Sequence, residues 1–315
     1  MSEDITKKQH YVWRHYLSTW KNNPDDKGIW TGLLEQKVIR KISLMDVAQK
    51  SYFYKLEELT DAELDFLKNF SKSLPEKAKS VAEDIVNRYS LYMQMKRNIA
   101  TNKTQNNDEY MCQVKKTEAE TIETIQSKIE NLGFGLIKCQ NIKDVQLLVE
   151  ESEDDILYYL FVQYSRTRAM KSRAVESMQD REDMQEIAQK CWPFFNLVCA
   201  KQLAENMAKK NDYRFVYVHN KGRVPFIAGD QPVINAKSND VDENGFAKDL
   251  ELYYPLSPKA ALVIEFTQGE RFSEIDVDDD YVRQHNLMIA KEAQFHIFAN
   301  EEGVLNNIID GIRPL

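Results

Sequence analysis

Apolar residues recur at helical spacing through the first two thirds of the chain. The pair Thr60 and Glu63 has capping-box spacing and precedes an apolar stripe, and Pro75 suits the first turn of a second helix. Further helices are predicted over residues 116–132, 154–177 and 181–211. We expect Pro193 to kink the last of these helices. The polar stretch 101–108 is predicted to form a mobile loop.

Alternating apolar positions replace the helical pattern after Asp212. Residues 213–219 and 223–229 predict two strands around a tight turn at 220–222, and residues 250–257 and 259–266 predict a second pair. A helix over 278–293, a strand over 295–300 and a short C-terminal helix are expected to follow.

This order of elements predicts an α+β fold with one domain over residues 1–315. Long helices in the first two thirds would form a layer packed on a C-terminal sheet that is rich in antiparallel pairs. The parts of this domain are an N-terminal motif at 7–17, a short hairpin at 28–40, a helical region at 60–211 and a sheet-rich region at 212–315.

Composition and charge narrow the classes of function. The 315 residues carry a net charge of -8, so any nucleic acid or other phosphate ligand must be bound by a local basic patch. Four cysteines without CxxC spacing indicate reduced thiols, and His285 and His296 have no second ligand nearby in sequence that would indicate zinc. Without a signal peptide or a long apolar segment, we expect a cytoplasmic protein that does not associate with a membrane.

The N-terminal motif KKQHYVWRHYL is the first candidate site. His10 and Arg14 are four positions apart and would share one face in either a helix or a strand. A titratable imidazole beside a permanent cation suits a phosphoester, with His10 as general acid or base and Arg14 as a donor. The alternative is a surface helix on which both side chains are solvated.

Two further segments hold candidate residues. In YYLFVQYSRTRAMKSR (158–173), Gln163 and Arg166 would lie side by side on a buried helix, and Arg168 and Lys171 extend a basic patch. The pair Gln163 and Arg166 could instead brace the sheet through hydrogen bonds.

In VPFIAGDQPV (224–233), Asp230 follows an apolar strand that could hold its carboxylate against a cleft. The same segment also suits a simple turn.

Read in order, these segments resemble the prokaryotic family known as domain of unknown function 4238. The opening motif is similar to its Q-H-Y-V-P-R-x-Y-L, FVQYSRTRAM to its Q-x-x-R-T-P, and IAGDQPV to its T-S-D-N-P-V. The segments 46–54, 253–264 and 282–299 extend the resemblance along nearly the whole chain. The matching positions are Gln9, His10, Arg14, Gln163, Arg166, Asp230, Pro232, Ser257 and Asn286. Trp13, Arg168 and Gln231 depart from the family pattern, and none of these changes removes an ionisable site group.

The resemblance supplies no established activity, so two functions are proposed from the residues. The leading hypothesis is a bacterial phosphodiester hydrolase, a nuclease-type effector of an antiphage or toxin system. His10, Arg14, Arg166 and Asp230 would be catalytic, and Asp230 would orient His10 or bind Mg²⁺ or Mn²⁺. The substrate, a nucleic acid or nucleotide, would be bound locally by Gln9, Gln163, Arg168, Lys171, Gln231, Ser257 and Asn286. The alternative is a binding or sensor module that recognises a phosphate-bearing ligand or a protein partner in a defence system.

Overall fold

Residues 8–101, 108–178, 181–243 and 247–311 are described by the structure, a computed structural model. The helices of these residues are α1 (Arg14–Leu17), α2 (Asp61–Lys72), α3 (Glu76–Thr101), α4 (Asp108–Leu132), α5 (Ile142–Ser165), α6 (Arg168–Glu176), α7 (Glu182–Lys190), α8 (Trp192–Lys210), α9 (Asp279–Glu292) and α10 (Glu302–Gly311). The strands are β1 (Lys8–His10), β2 (Gly28–Leu33), β3 (Val38–Ser43), β4 (Gln49–Ser51), β5 (Arg214–Asn220), β6 (Ala228–Gly229), β7 (Ile234–Asn235), β8 (Glu251–Ser257), β9 (Ala260–Glu265), β10 (Phe272–Val277) and β11 (His296–Ala299).

The strands of the described residues pair into three sheets. A five-stranded sheet has the order β10-β5-β9-β8-β7, a four-stranded sheet has the order β3-β2-β11-β6, and β1 pairs with β4. All of these pairs are antiparallel except that of β5 with β10, which is parallel. Long helices precede antiparallel-rich sheets, which confirms the predicted α+β fold.

Alternation along β5 separates two hydrophobic clusters. Phe215 and Tyr217 belong to the larger cluster, which includes the helices between residues 61 and 210. Val216 and Val218 point to the other face and pack in the smaller cluster with α9, α10 and β11. The five-stranded sheet is therefore covered on both faces.

Local sequence signals account for several elements. The Thr60 hydroxyl accepts from the Glu63 backbone N–H at 3.2 Å, and the Glu63 carboxylate accepts from the Thr60 N–H at 2.6 Å. The predicted hairpin at 28–40 is present as β2 and β3, and the pair β8–β9 and helix α9 also form as predicted. Helix α4 begins at Asp108 rather than near residue 116. The loop predicted at 101–108 lies almost entirely outside the described residues.

The helix predicted over 154–177 is wrong at its end, whereas its predicted start lies close to a break in α5, where Ser152 has non-helical φ and ψ angles of -151° and 55°. Helix α5 begins at Ile142, where the Asn141 side chain accepts from the first backbone N–H groups. The chain then leaves the helix at Arg166, because Thr167 adopts an extended conformation and caps a separate helix, α6. Arg166 therefore lies at a helix end instead of in mid-helix.

The single helix predicted over 181–211 is also wrong. Two helices, α7 and α8, meet at Cys191, and Pro193 lies in the first turn of α8. Proline is tolerated there because the first N–H groups of a helix have no intrahelical acceptor. Pro193 thus begins a helix and does not kink one.

The strand pair predicted around residues 220–222 does not form. Strand β5 pairs with β9 and β10, and β6 pairs with β11 in the other sheet. The Asp279 carboxylate accepts from the backbone N–H groups of Arg223 and Val224 at 2.6 and 2.9 Å. Only one of these two consecutive donors could have paired with β5 in a hairpin, because neighbouring N–H groups of a strand point in opposite directions, and Asp279 accepts from both.

No helix among the described ranges has both the length and the apolar character to cross a membrane.

Candidate functional site: the Arg166 pocket

The N-terminal motif places its polar side chains on separate elements. Strand β1 ends at His10, whose Nε2 lies 3.2 Å from the Leu44 carbonyl oxygen, and helix α1 begins at Arg14, which donates to Met45 Sδ at 2.7 Å. Both side chains therefore reach the same loop, although they do not share one helix or strand. Arg14 is exposed and His10 is half-buried.

Gln9 is buried and braces the fold. Its Nε2 donates to the Ala119 carbonyl of α4 at 2.6 Å, and its Oε1 accepts from the Tyr54 backbone N–H at 2.7 Å. The side chain thereby joins the N-terminal strand to helix α4 and to the segment before α2. Both hydrogen-bonding ends of the amide are occupied by backbone groups.

Arg166 forms the centre of a buried polar cluster. Only 3% of the residue is exposed, and Nη1 donates to Glu130 Oε1 at 2.8 Å and lies 3.5 Å from Gln126 Oε1. Burial works to lower the pKa of Arg166, but Tyr54 and Glu130 outweigh it and hold the pKa above its usual value. The guanidinium is therefore a permanent cation inside the protein.

Several polar atoms around Arg166 have no hydrogen-bond partner among the described residues. Arg166 Nε and Nη2, the Tyr54 hydroxyl and Gln163 Nε2 are all buried without a hydrogen bond. A buried donor without an acceptor costs roughly 1–3 kcal/mol. Arg166 and Tyr54, which carry three of these atoms, line a cavity where a ligand could supply the missing partners, whereas Gln163 is not part of that lining.

A cavity of about 270 Å³ opens onto this cluster. Arg166, Tyr54 and Gln126 line it, and we call it the Arg166 pocket. Its lining includes five cationic residues and one acidic residue, Glu57. The cations are Lys50, Lys55, Arg166, Lys171 and Lys190. Within a chain of net charge -8 the lining is locally rich in cations, and three of them, Arg166, Lys55 and Lys190, are each paired with carboxylates.

Neighbouring groups position the lysines of the pocket. Lys171 Nζ donates to the Gln189 carbonyl at 2.8 Å, and Lys55 pairs with Glu118 at 2.9 Å. Lys190 binds Glu63 and Glu186, each at 2.8 Å, and these hydrogen bonds raise its pKa. The structure thus brings the predicted Arg166 and Lys171 together, whereas the side chain of Arg168 lies outside the described part of the chain.

Asp230 is held by the backbone and does not face Arg166. Its Oδ1 accepts from the Gln294 N–H at 2.8 Å, and its Oδ2 accepts from Phe295 and His296 at 2.8 and 3.1 Å. Burial raises the pKa of Asp230 to about 6 although these hydrogen bonds oppose the shift. Three backbone donors on one carboxylate indicate a brace that holds β6 against β11.

The three sequence motifs meet through the neighbours of the predicted catalytic residues. Thr167, next to Arg166, donates a hydrogen bond to Gln231, whose Nε2 donates to the Tyr164 and Val233 carbonyls at 2.7 and 2.8 Å. Tyr11, next to His10, lies with its hydroxyl 2.9 Å from Nδ1 of His296. Tyr11, Thr167 and Asp230 line a second, much smaller cavity.

Ser257 and Asn286 act on the backbone away from the pocket. Asn286 Oδ1 accepts from the Ile227 N–H at 3.0 Å and its Nδ2 donates to the Pro225 carbonyl at 2.9 Å. Ser257 accepts from the Lys259 N–H at 3.3 Å in the turn between β8 and β9. Neither residue lines the Arg166 pocket.

Metal-ligand geometry is not found in the described ranges, where no three His, Cys, Asp or Glu side chains form a group that could hold an ion. The predicted role of Asp230 as a ligand for Mg²⁺ or Mn²⁺ therefore lacks companion residues among them. Its own two oxygens already accept from backbone N–H groups.

Sequence reasoning missed the residues that complete the pocket. Gln126 and Glu130 come from α4, Tyr54 from the segment before α2, and Trp192 and Asn196 from α8. One signal was available, because Gln126 lies between the apolar positions Ile122 and Ile129 on the buried face of α4. A polar residue on such a face needs a partner inside the protein.

Comparison with known proteins gives a family and no activity. No curated protein and no solved structure shows significant similarity to this chain. Residues 8–303 match a family model, in agreement with the resemblance of the motifs, and the chain therefore belongs to the family described as protein of unknown function (DUF4238).

Proposed function

We propose that the Arg166 pocket binds a small ligand that carries a phosphate or a similar anionic group. The observation that carries this proposal is the guanidinium of Arg166, which is buried and charged, lines the cavity and has two nitrogens without a protein acceptor. A ligand anion would satisfy both nitrogens.

The orientation of the guanidinium suits a two-oxygen ligand. Nη1 donates to Glu130. The other two nitrogens, Nε and Nη2, have no acceptor among the described residues and form one edge of the planar group. Two parallel N–H donors on that edge match two oxygens of a phosphate or carboxylate. The surrounding lysines would add charge without fixed geometry, as their flexible side chains do in other phosphate sites.

The size of the cavity favours a small molecule over a polymer. Ligand cavities commonly range over about 300–1,000 Å³, and this one has a volume of about 270 Å³. A continuous nucleic-acid track would need a longer basic groove. Recognition of a small phosphate-bearing ligand is therefore the function that this geometry supports best.

Calorimetric titration with pyrophosphate and ribose 5-phosphate tests the proposal. We expect saturable binding to the wild type, with affinity that falls as salt rises and that weakens several-fold in Lys171→Ala. Lys248→Ala is a matched control, because this lysine pairs with Asp240 on an exposed surface elsewhere. Absence of binding to the wild type at millimolar ligand, or equal affinities of Lys171→Ala and wild type, would contradict the proposal.

Phosphodiester hydrolysis near the same pocket is a second candidate function, and Glu123, a charged neighbour of Arg166 and Glu130 that is not part of the pocket lining, favours it. Burial and the nearby Glu130 charge raise the pKa of Glu123 to about 7, against the opposing charge of Arg166. A carboxyl group that titrates near neutral pH suits general acid or base chemistry. This version moves the proton-transfer role from His10 and Asp230 to Glu123.

A cleavage assay on mixed RNA and DNA separates the two candidates. Cleavage by the wild type, with or without Mg²⁺ or Mn²⁺, that is lost in Glu123→Gln at an unchanged melting temperature would support hydrolysis through Glu123. Cleavage retained in Glu123→Gln but lost in His10→Ala would return the proton-transfer role to His10. A wild type without cleavage, combined with binding of pyrophosphate, would leave ligand recognition as the function.

A further inference from the structure

Two side chains of helix α8 that line the Arg166 pocket carry further buried polar atoms without a partner among the described residues. Trp192 and Asn196 are four residues apart and so lie on one face of the helix, and both line the cavity. Trp192 Nε1, a donor, and Asn196 Oδ1, an acceptor, are buried without a hydrogen-bond partner in the described part of the chain. Asn196 is only 2% exposed.

The orientation of the Asn196 amide follows from its neighbour. Ser165 donates its hydroxyl hydrogen to the Phe161 carbonyl at 2.6 Å, so its oxygen can only accept from Asn196. The Asn196 group that lies 2.6 Å from Ser165 must therefore be the NH₂ group, Nδ2. This fixes Oδ1 as the atom left without a partner.

The pocket also carries aromatic surface. Tyr52 and Phe53 belong to its lining, and Tyr52 is 40% exposed with a backbone φ of 55°. A left-handed conformation costs a tyrosine about 1 kcal/mol, and such backbone strain is concentrated at binding sites. An exposed ring at the mouth of a basic pocket can stack on a flat ligand group.

We infer that the phosphate-bearing ligand of this pocket is a nucleotide. This inference rests on the proposed function, because Arg166 and the lysines are assigned to the phosphate. A nucleobase edge that presents a donor beside an acceptor would donate to Asn196 Oδ1 and accept from Trp192 Nε1. An aromatic side chain at the mouth would stack on the base, and a sugar would separate the two sets of contacts.

Titration calorimetry with four nucleoside monophosphates and ribose 5-phosphate tests this inference. We expect at least one nucleotide to bind about tenfold or more tightly than ribose 5-phosphate, as one or two satisfied buried polar atoms would produce. Trp192→Phe keeps an aromatic ring and removes the donor, so it should reduce this preference and leave the affinity for ribose 5-phosphate unchanged. Trp30→Phe, in strand β2 outside the pocket lining, is the matched control.

The outcomes distinguish the inference from the proposal beneath it. Equal binding of nucleotides and ribose 5-phosphate by the wild type would overturn the nucleotide assignment and leave phosphate recognition standing. A preference that persists in Trp192→Phe would also overturn it. If no compound binds, both the nucleotide assignment and the proposed phosphate recognition are overturned. If Trp192→Phe loses the preference for a nucleotide and Trp30→Phe keeps it, the nucleotide assignment is supported.

Discussion

Arg166 donates through Nη1 to Oε1 of Glu130 at 2.8 Å, and the two side chains are 1% and 13% exposed. Glu130 is thus the carboxylate that offsets the charge of a guanidinium with two further nitrogens unpartnered. Burial raises the pKa of Glu130, although Arg166 opposes this shift. The pair lies beside the pocket and leaves one edge of Arg166 buried without an acceptor among the described residues.

Glu130→Leu should destabilise the protein by about 3 kcal/mol or more, because it leaves a buried guanidinium without its carboxylate. Glu292→Leu is the control, since Glu292 pairs with the half-exposed Arg173 and should cost less than about 1 kcal/mol. Urea denaturation of both variants measures the difference. Equal losses would mean that burial does not strengthen the Arg166–Glu130 interaction.

Asp230→Asn should cost about 2 kcal/mol, because an amide offers one acceptor oxygen and turns an NH₂ group toward backbone donors. Asp240→Asn, at an exposed carboxylate paired with Lys248, should change the free energy of unfolding very little. Denaturation at neutral pH gives both values. An Asp230→Asn variant of normal stability that has lost ligand binding or cleavage would show that Asp230 contacts the ligand instead of bracing β11.

Glu123→Gln should alter the dependence of stability on pH. The pKa of Glu123 rises from 4.5 to about 7 on folding, so its stabilising contribution is fully present below pH 4.5 and is lost as the pH rises through 7. Each pH unit in this window is worth about 1.4 kcal/mol at most, and partial exposure reduces the total to about 1–2 kcal/mol.

The comparison is made between pH 5 and pH 8 by urea denaturation. Relative to the wild type, Glu123→Gln should gain about 1–2 kcal/mol of stability over this range. Glu83→Gln, at an exposed position of α3, should run parallel to the wild type. If the free energy of unfolding of Glu123→Gln also runs parallel to that of the wild type across this pH range, the pKa of Glu123 in the folded protein is close to its ordinary value.

Gly133→Ala should cost about 3 kcal/mol, because a Cβ at this position would overlap the ring of Tyr159. Tyr159 cannot move easily, since it is fully buried and its hydroxyl lies 2.7 Å from that of Tyr254. Gly303→Ala meets no atom within 4 Å and should be neutral or slightly stabilising. Thermal melts measure both variants. Equal changes in melting temperature for Gly133→Ala and Gly303→Ala would contradict the predicted overlap with Tyr159.

Signals within a few residues of one another predicted the fold well. Thr60 and Glu63 predicted the start of α2, and the close strand pairs β2–β3 and β8–β9 were predicted because each is joined by a short turn. Strand β10 was missed, since its partner β5 lies almost sixty residues earlier and acidic residues, Glu274 and Asp276, flank its exposed Ile275. Nothing local marks such a parallel pair.

The sequence predicted some residues of the site but not the partners that position them. Arg166 and Lys171 do share a pocket, but the partners of Asp230 lie at residues 294–296, and those of Arg166 lie on α4. A sequence shows that a buried arginine needs a carboxylate without showing which one supplies it. Only the packing of α4 against α5 selects Glu130.

The four-stranded sheet can be completed only after β11 has been synthesised, because β11 pairs with β2. Thr31 lies opposite Phe298, so a strand near the start of the chain has its neighbour near the end. During synthesis, β2 and β3 would leave the ribosome as a hairpin. The edge of β2 that pairs with β11 would stay uncovered until almost all of the remaining residues had been synthesised. Such distant contacts slow folding, and an uncovered strand edge attracts other chains. In a nascent chain of this protein, the edge of β2 should therefore stay without its native partner until β11 has emerged.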